Sequence, residues 1–155
     1  MQVFRIVTRK WKDHAFSGEG ARLYGGRWNP KGTAVVYTAA SRALALLEML
    51  VQDEPLRAAY WLIPATIPDI VRIEQVTLKS LPHNWMTSAH SETLRTIGRT
   101  WITRGKSAVL TVPSAVMPAE TNYLLNPLHP NFAHIQIGQA QKLQTDLRLR
   151  RRFSA

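Results

Sequence analysis

Short apolar runs alternate with long polar connections along the chain, and the period of each run assigns an element. "QVFRIVT" at 2–8 alternates apolar and polar positions as a half-buried strand does. "TAVVYTA" at 33–39 is a nearly unbroken small and β-branched run and predicts a buried strand. "RALALLEMLVQDE" at 42–54 reads as a helix, with Ser41 as its N-cap and Pro55 limiting its extent. "AAYWLIPATIP" predicts another strand ended by prolines, "VRIEQVTL" a further one, and "LPHNWM" a turn. "SETLRTIGRTWITRG" sets Leu94, Ile97 and Trp101 at helical spacing, with Gly105 as the C-cap. "SAVLTVPS" is strand-like and stops at Pro113–Ser114. "MPAETNYLLNPLHPN" reads as a Pro- and Asn-rich connection with a short apolar centre. "FAHIQIG" and "KLQTDLRL" close the chain as two strands of a hairpin. The sum is α/β (α+β), a single domain over 1–155 with short mixed sheets and flanking helices. There is no repeat, low-complexity tract or linker.

One segment escapes this alternation. "WKDHAFSGEGARLYGGRWNPKG" at 11–32 is long and irregular. A loop of that length in a compact domain is functional or disordered, and its aromatic rings argue against disorder.

Composition narrows the possibilities. Hydrophobic residues make up 45% and charged residues 19% of 155, as in a globular chain. No apolar run approaches the roughly 20 residues that span a membrane, and "MQVFRIVTRK" has no signal-peptide core. Cysteine is absent, which excludes disulfides and thiolate metal sites. A cytoplasmic protein is expected. Net charge is +10, of which residues 1–42 carry +6 and residues 141–155 carry +4, so the middle is neutral. Such a surface attracts nucleic acid, an anionic ligand or an acidic partner.

Three motifs fail on inspection. "GKS" at 105–107 lacks the P-loop glycine, because position 100 is threonine, and a helix precedes it. "YGGRW" is not GxGxxG and leads into a strand. The five histidines show no HExxH spacing, and His129 with His134 is no more than a structural pair, so no metal is expected.

Three residues resist a bland reading. Glu48 lies between Leu44 and Val51 on the apolar side of its helix. A carboxylate there costs several kcal/mol unless paired or hydrogen-bonded. Two readings stay open: an edge glutamate reaching solvent, or a carboxylate lining a polar cleft. Arg27 follows Gly25 and Gly26 in "RLYGGRWNPKGT". Glycines permit close backbone approach, an arginine fork matches phosphate, and Tyr24, Trp28 and Tyr37 offer flat faces. The alternative is a turn with solvated arginines. Ser114 follows Pro113 at a strand end, without the GxSxG of a serine hydrolase.

Together these residues resemble the RES-domain toxins, named for an arginine, a glutamate and a serine in that order. Here they are Arg27 in "RLYGGRWNPKGT", Glu48 in "ALALLEML" and Ser114 in "LTVPSAV". "FSGEGARLYGGRWNPKG" followed by "VVYTA", and "ETNYLLNPLHPNF" at 120–132, are typical of the family. The likeness runs from "FRI" at 4–6 to "IQIG" at 135–138, and the basic tail at 148–155 is its least diagnostic part.

The resemblance implies a fold similar to the ADP-ribosyltransferases. It implies the toxin of a bacterial toxin–antitoxin pair, with NAD+ as substrate and no cofactor. The reaction would be cleavage of the nicotinamide–ribose bond by hydrolysis or phosphorolysis, with ADP-ribosylation of a protein as the alternative. The implied partner is an Xre-like antitoxin that covers the active site, holds the toxin as a dimer and alone contacts DNA. No membrane is involved. Arg27, Glu48, Ser114 and Tyr37 would be catalytic. Tyr24, Gly26, Arg27, Tyr37, Ser114 and Asn122 would bind NAD+. In that scheme Glu48 stabilises the ribosyl cation, Arg27 holds phosphate or pairs with Glu48, and Ser114 bonds the nicotinamide ribose or amide. An RNase-like or nucleic-acid-binding toxin is the rival from another class. A catalytically dead partner-binding protein is a third.

Overall fold

The computed structural model describes residues 1–52, 59–146, 148 and 149. Eight strands join in one sheet: β1 (Gln2–Thr8), β2 (Val36–Ala39), β3 (Tyr60–Thr66), β4 (Ile73–Gln75), β5 (Val109–Pro113), β6 (Thr121–Leu125), β7 (Gln136–Ile137) and β8 (Gln141–Lys142). Their order is β4-β5-β6-β2-β1-β3-β7, with β8 also on β3. Only β4 with β5 is parallel among these pairs. Three α-helices complete the described fold: α1 (Glu19–Tyr24), α2 (Arg42–Gln52) and α3 (Ser91–Arg104).

The period-two alternation sorts the core. Val3, Val36, Ile63, Ala65, Val109 and Leu125 share one cluster on one face. On the other face, Phe4, Ala39 and Leu62 receive Leu44 and Ala45 of α2. Leu110, Val112 and Leu124 on that same face receive Leu94 and Trp101 of α3, together with Trp28 and Trp85. The two longer helices thus flank a seam on one side of the sheet. β2 and β6 run beneath it.

Local chemistry explains the helices. Ser41 Oγ accepts from Leu44 N at 3.1 Å and caps α2, as its sequence predicts. Gly105 ends α3 with φ +56° and donates to Trp101 O at 3.1 Å. Gly98 lies where α3 meets the chain at Trp28: an added Cβ would fall 1.7 Å from Trp28 O. Glycine at that position lets the helix lie directly on the backbone that carries Arg27.

Four expectations change. The segment 11–32 is not irregular throughout, since it holds part of a 3-10 helix (Arg9–His14) and all of α1. Arg22 Nε donates to Glu19 at 2.8 Å across one turn of α1, and Gly25 N closes it on Ala21 O at 2.8 Å. The connection at 117–131 contains β6, an interior strand, because Leu124 and Leu125 are buried between β5 and β2. "VRIEQVTL" is a strand only over Ile73–Gln75. The last two strands form no hairpin with each other; both pair with β3, at Ala65↔Ile137 and at Leu62↔Gln141. Pro55 and residues 150–155 of the basic tail lie outside the described residues. No helix among the described residues is long and apolar enough to cross a membrane.

Candidate active site

Two cavities of about 450 and 1110 Å³ open over the seam and share walls. Arg5, Trp11, Tyr24, Tyr37, Glu48 and Asn122 line both, so they are two arms of one cleft. The smaller arm adds the apolar side chains of Phe4, Ile6, Val7, Ala45, Met49 and Tyr60, alongside the polar Thr8, His14 and Glu19. The larger arm adds Gly26, Arg27, Trp28 and Arg95.

Glu48 stands where the arms meet. Helix α2 presents it from beside the buried Leu44 and Ala45, while Val51 one turn on is exposed. The carboxylate therefore lines a polar cleft, which settles its place on the apolar side of the helix. Its Oε1 accepts two hydrogen bonds of 2.6 Å, from Ser114 Oγ and from Asn122 Nδ2. Bonds this short to a carboxylate are the strong, charge-assisted kind. Both hydrogen bonds to the carboxylate use Oε1, and among the described residues none uses Oε2.

Ser114 is fully buried and lines neither arm. Its hydroxyl donates to Glu48. The hydroxyl oxygen also accepts from Val116 N and Met117 N, both at 3.1 Å. Those backbone donors fix the direction of the hydrogen that Ser114 gives to Glu48. Ser114 thus holds the Glu48 carboxylate in place.

Tyr37 offers its ring and not its hydroxyl. The oxygen accepts from Trp28 N at 3.0 Å and donates to Asn29 Oδ1 at 2.7 Å. Burial pushes its pKa well above the ordinary tyrosine value, against the opposing fields of Arg27, Arg95 and Arg5. Asn29, completely buried, ties the loop together by donating toward Ala21 O, Pro30 O and Thr33 O at 2.9–3.0 Å. Gly26 is required by this knot: a Cβ there would lie 2.6 Å from Tyr37 Oη and 2.8 Å from Asn29 Oδ1.

Arg27 is exposed and donates to Met86 O at 3.2 Å. It forms no ion pair with Glu48 among the described residues, so the expected Arg27–Glu48 pair is not present. Desolvation of Glu48 is met by Ser114 and Asn122 instead. Tyr24 is 69% exposed at the mouth of the cleft.

Two site residues escape the sequence reading. Arg5 on β1 donates through Nη1 to Tyr37 O at 2.7 Å, beside the Phe4↔Ala39 register of β1 and β2. Its Nε is buried without a partner among the described residues. Burial lowers its pKa from 12.5 to about 10, partly offset by Tyr37. An arginine inside the alternating "QVFRIVT", on the face of Val3 and Val7, was the available signal. Arg95 on α3 reaches Gly26 O with Nε at 3.4 Å. Helical spacing gave no hint of it, because only the fold turns that side of α3 toward the loop.

With this geometry, the cleft of this α/β protein has one arm bearing Phe4, Ile6, Val7 and Met49 and one bearing Arg27 and Arg95, with Glu48 lining both. The RES domain family profile matches residues 2–146, and the chain belongs to that family. It is 40% identical over 134 residues to "Toxin Res" of Yersinia enterocolitica, covering 85% of this chain and 88% of that protein. It is 36% identical over 155 residues to the "Prs ADP-ribosylating toxin" of Sphingobium sp. strain YBL2, covering 96% of each. The fold resembles the toxin–antitoxin complex MbcT–MbcA of M. tuberculosis with a TM-score of 0.75, covering 92% of this chain and 84% of that one at 19% identity.

Proposed function

We propose that the protein is a toxin that cleaves the nicotinamide–ribose bond of NAD+. The observation that carries this reading is Glu48, clamped through Oε1 by Ser114 and Asn122 where the smaller arm meets the arginine-lined one. The apolar side chains of the smaller arm suit the nicotinamide ring. Arg5 and Arg27 suit the pyrophosphate, and the unpartnered Arg5 Nε gains an acceptor when an anion enters. Asn122 Oδ1, also buried without a partner among the described residues, suits a donor such as a ribose hydroxyl.

Bond breaking sends the electron pair to the nicotinamide nitrogen, which leaves uncharged. The positive charge moves to the ribose, as an oxocarbenium ion. A preorganised carboxylate beside that charge lowers the barrier without reorganising. An acceptor oxygen then bonds to the ribose carbon and releases its proton. Water gives ADP-ribose, and phosphate gives its phosphorylated form.

A second reading, transfer of ADP-ribose to a protein, is favoured by the Sphingobium relative described as ADP-ribosylating. The same cation forms and only the acceptor differs. The M. tuberculosis neighbour is bound to an antitoxin. By the same reasoning an Xre-like antitoxin covers this cleft, against exposed Tyr24 and Met86, and holds a toxin dimer in the complex. NAD+ labelled in the adenine separates the readings. Label in free ADP-ribose means hydrolysis, in a phosphorylated form phosphorolysis, and in protein after adding lysate transfer. Label left in NAD+ under all three conditions rejects the function.

A further inference from the structure

The larger arm carries one more arginine than the two assigned to the pyrophosphate. Its charged walls are Arg5, Arg27, Arg95 and Glu48. Arg5 and Arg27 are assigned to the pyrophosphate, and Glu48 keeps its negative charge for the ribose, since Ser114 and Asn122 are neutral donors. Arg95 has no part in that assignment. It is half-buried, and among the described residues it has no carboxylate partner. Its one hydrogen bond among the described residues uses Nε, at 3.4 Å to Gly26 O, and the residue lines the arm. Ser88 and Ser91 line the same wall, and neither Arg27 nor Arg95 touches the smaller arm. Gly98 holds this wall close to the loop, because α3 rests on Trp28 at that point.

We propose that Arg95, with Ser88 and Ser91, binds a phosphate group beyond the two of the pyrophosphate. A planar guanidinium flanked by hydroxyls is the usual receptor for such a group. The phosphate has two possible sources: the 2′-phosphate of NADP+, for which arginine is the common partner, or free inorganic phosphate. The proposal rests on the NAD+-cleaving reading for its function but not for its binding test.

Two measurements decide it. Calorimetry of the intact protein with adenosine 2′,5′-bisphosphate, 5′-AMP and inorganic phosphate reads the arm without turnover. A 2′-phosphate site gives the bisphosphate at least ~10-fold tighter binding than 5′-AMP, the weight of one charge-assisted contact pair. A free-phosphate site gives saturable phosphate binding and no such preference. Arg95→Ala, and Arg95→Gln if the first does not fold, must abolish whichever is seen. Kinetics then place it in function. The variant raises the NADP+/NAD+ ratio of KM values at least ~10-fold for the first source. It removes phosphate acceleration of NAD+ cleavage for the second. Equal binding of bisphosphate and 5′-AMP with no phosphate binding overturns the proposal, as does an Arg95 variant that weakens every ligand alike. If neither dinucleotide is cleaved while Arg95-dependent phosphate binding persists, the NAD+ reading fails and the arm stands.

Discussion

Ser114 Oγ lies 2.6 Å from Glu48 Oε1, although 66 residues of chain separate them. One sits at the end of β5 and the other on α2. The pair makes the carboxylate part of the scaffold, since Ser114 is itself held by two backbone N–H groups. Asn122 of β6 completes the clamp at the same oxygen. A side chain that cannot swing away loses little entropy when it meets a transition state.

Glu48→Gln keeps the shape and removes the charge. Turnover is expected to fall about 10²–10³-fold, while Kd for NAD+ moves less than about threefold. Equilibrium binding beside steady-state kinetics checks this. A Kd that rises as much as kcat falls would give Glu48 a binding role.

Ser114→Ala leaves the catalytic atoms in place and frees Glu48. It also strips an acceptor from Val116 N and Met117 N. Stability is expected to drop by about 1–3 kcal/mol, with kcat falling about 10-fold or more and KM changing little. Denaturant melts with kinetics at saturating NAD+ read both. Were Ser114 a ligand contact, KM would take most of the loss.

Arg5→Met separates function from stability. The variant loses one hydrogen bond to Tyr37 O and is relieved of a desolvated cation. These effects oppose each other, so stability is expected within about 1 kcal/mol of the parent. NAD+ binding is expected to weaken about 10–100-fold. Thermal melts in the presence and absence of NAD+ show it: the ligand-induced rise in Tm is lost while the unliganded Tm holds.

Tyr37→Phe tests the saturated hydroxyl. It leaves Trp28 N and Asn29 Oδ1 without their partner, at a cost of about 1–3 kcal/mol near pH 7. The pH dependence has a definite sign. Burial raises the folded pKa above the ordinary value of 10.0. The native state therefore keeps its proton where the unfolded chain loses it. That stabilisation is complete below about pH 10 and declines as pH rises beyond it. Stability of the parent should fall more steeply above pH 10 than that of the variant.

The longer strands and both long helices were legible because each follows a clean period: β1 by alternation, α2 by Ser41, α3 by Gly105. Glu48 was legible for the opposite reason, as a charge where the pattern asks for an apolar residue. β6 was not, because Asn122 and the flanking prolines read as a loop. The resemblance named Asn122 only as a binder of NAD+, and its amide donates to the Glu48 carboxylate from inside the sheet. Ser114 was identified without its role, since a strand-end serine has no signature of the side chain it will meet. Arg5 carried a signal of the same kind as Glu48, a charge on the period of Val3 and Val7, and was passed over because the strand as a whole alternates regularly. The clamp is made of contacts 66 and 74 residues apart, and local periodicity carries no information at that range.

Release of nicotinamide is the most direct test of the central claim. Purified protein and its Glu48→Gln variant are incubated with NAD+ alone, with phosphate added, and with cell lysate added, and free nicotinamide is quantified by mass. The account predicts multiple turnovers by the parent in at least one mixture, and at least ~100-fold less from the variant. Intact NAD+ in all three mixtures, or equal release by parent and variant, would contradict it.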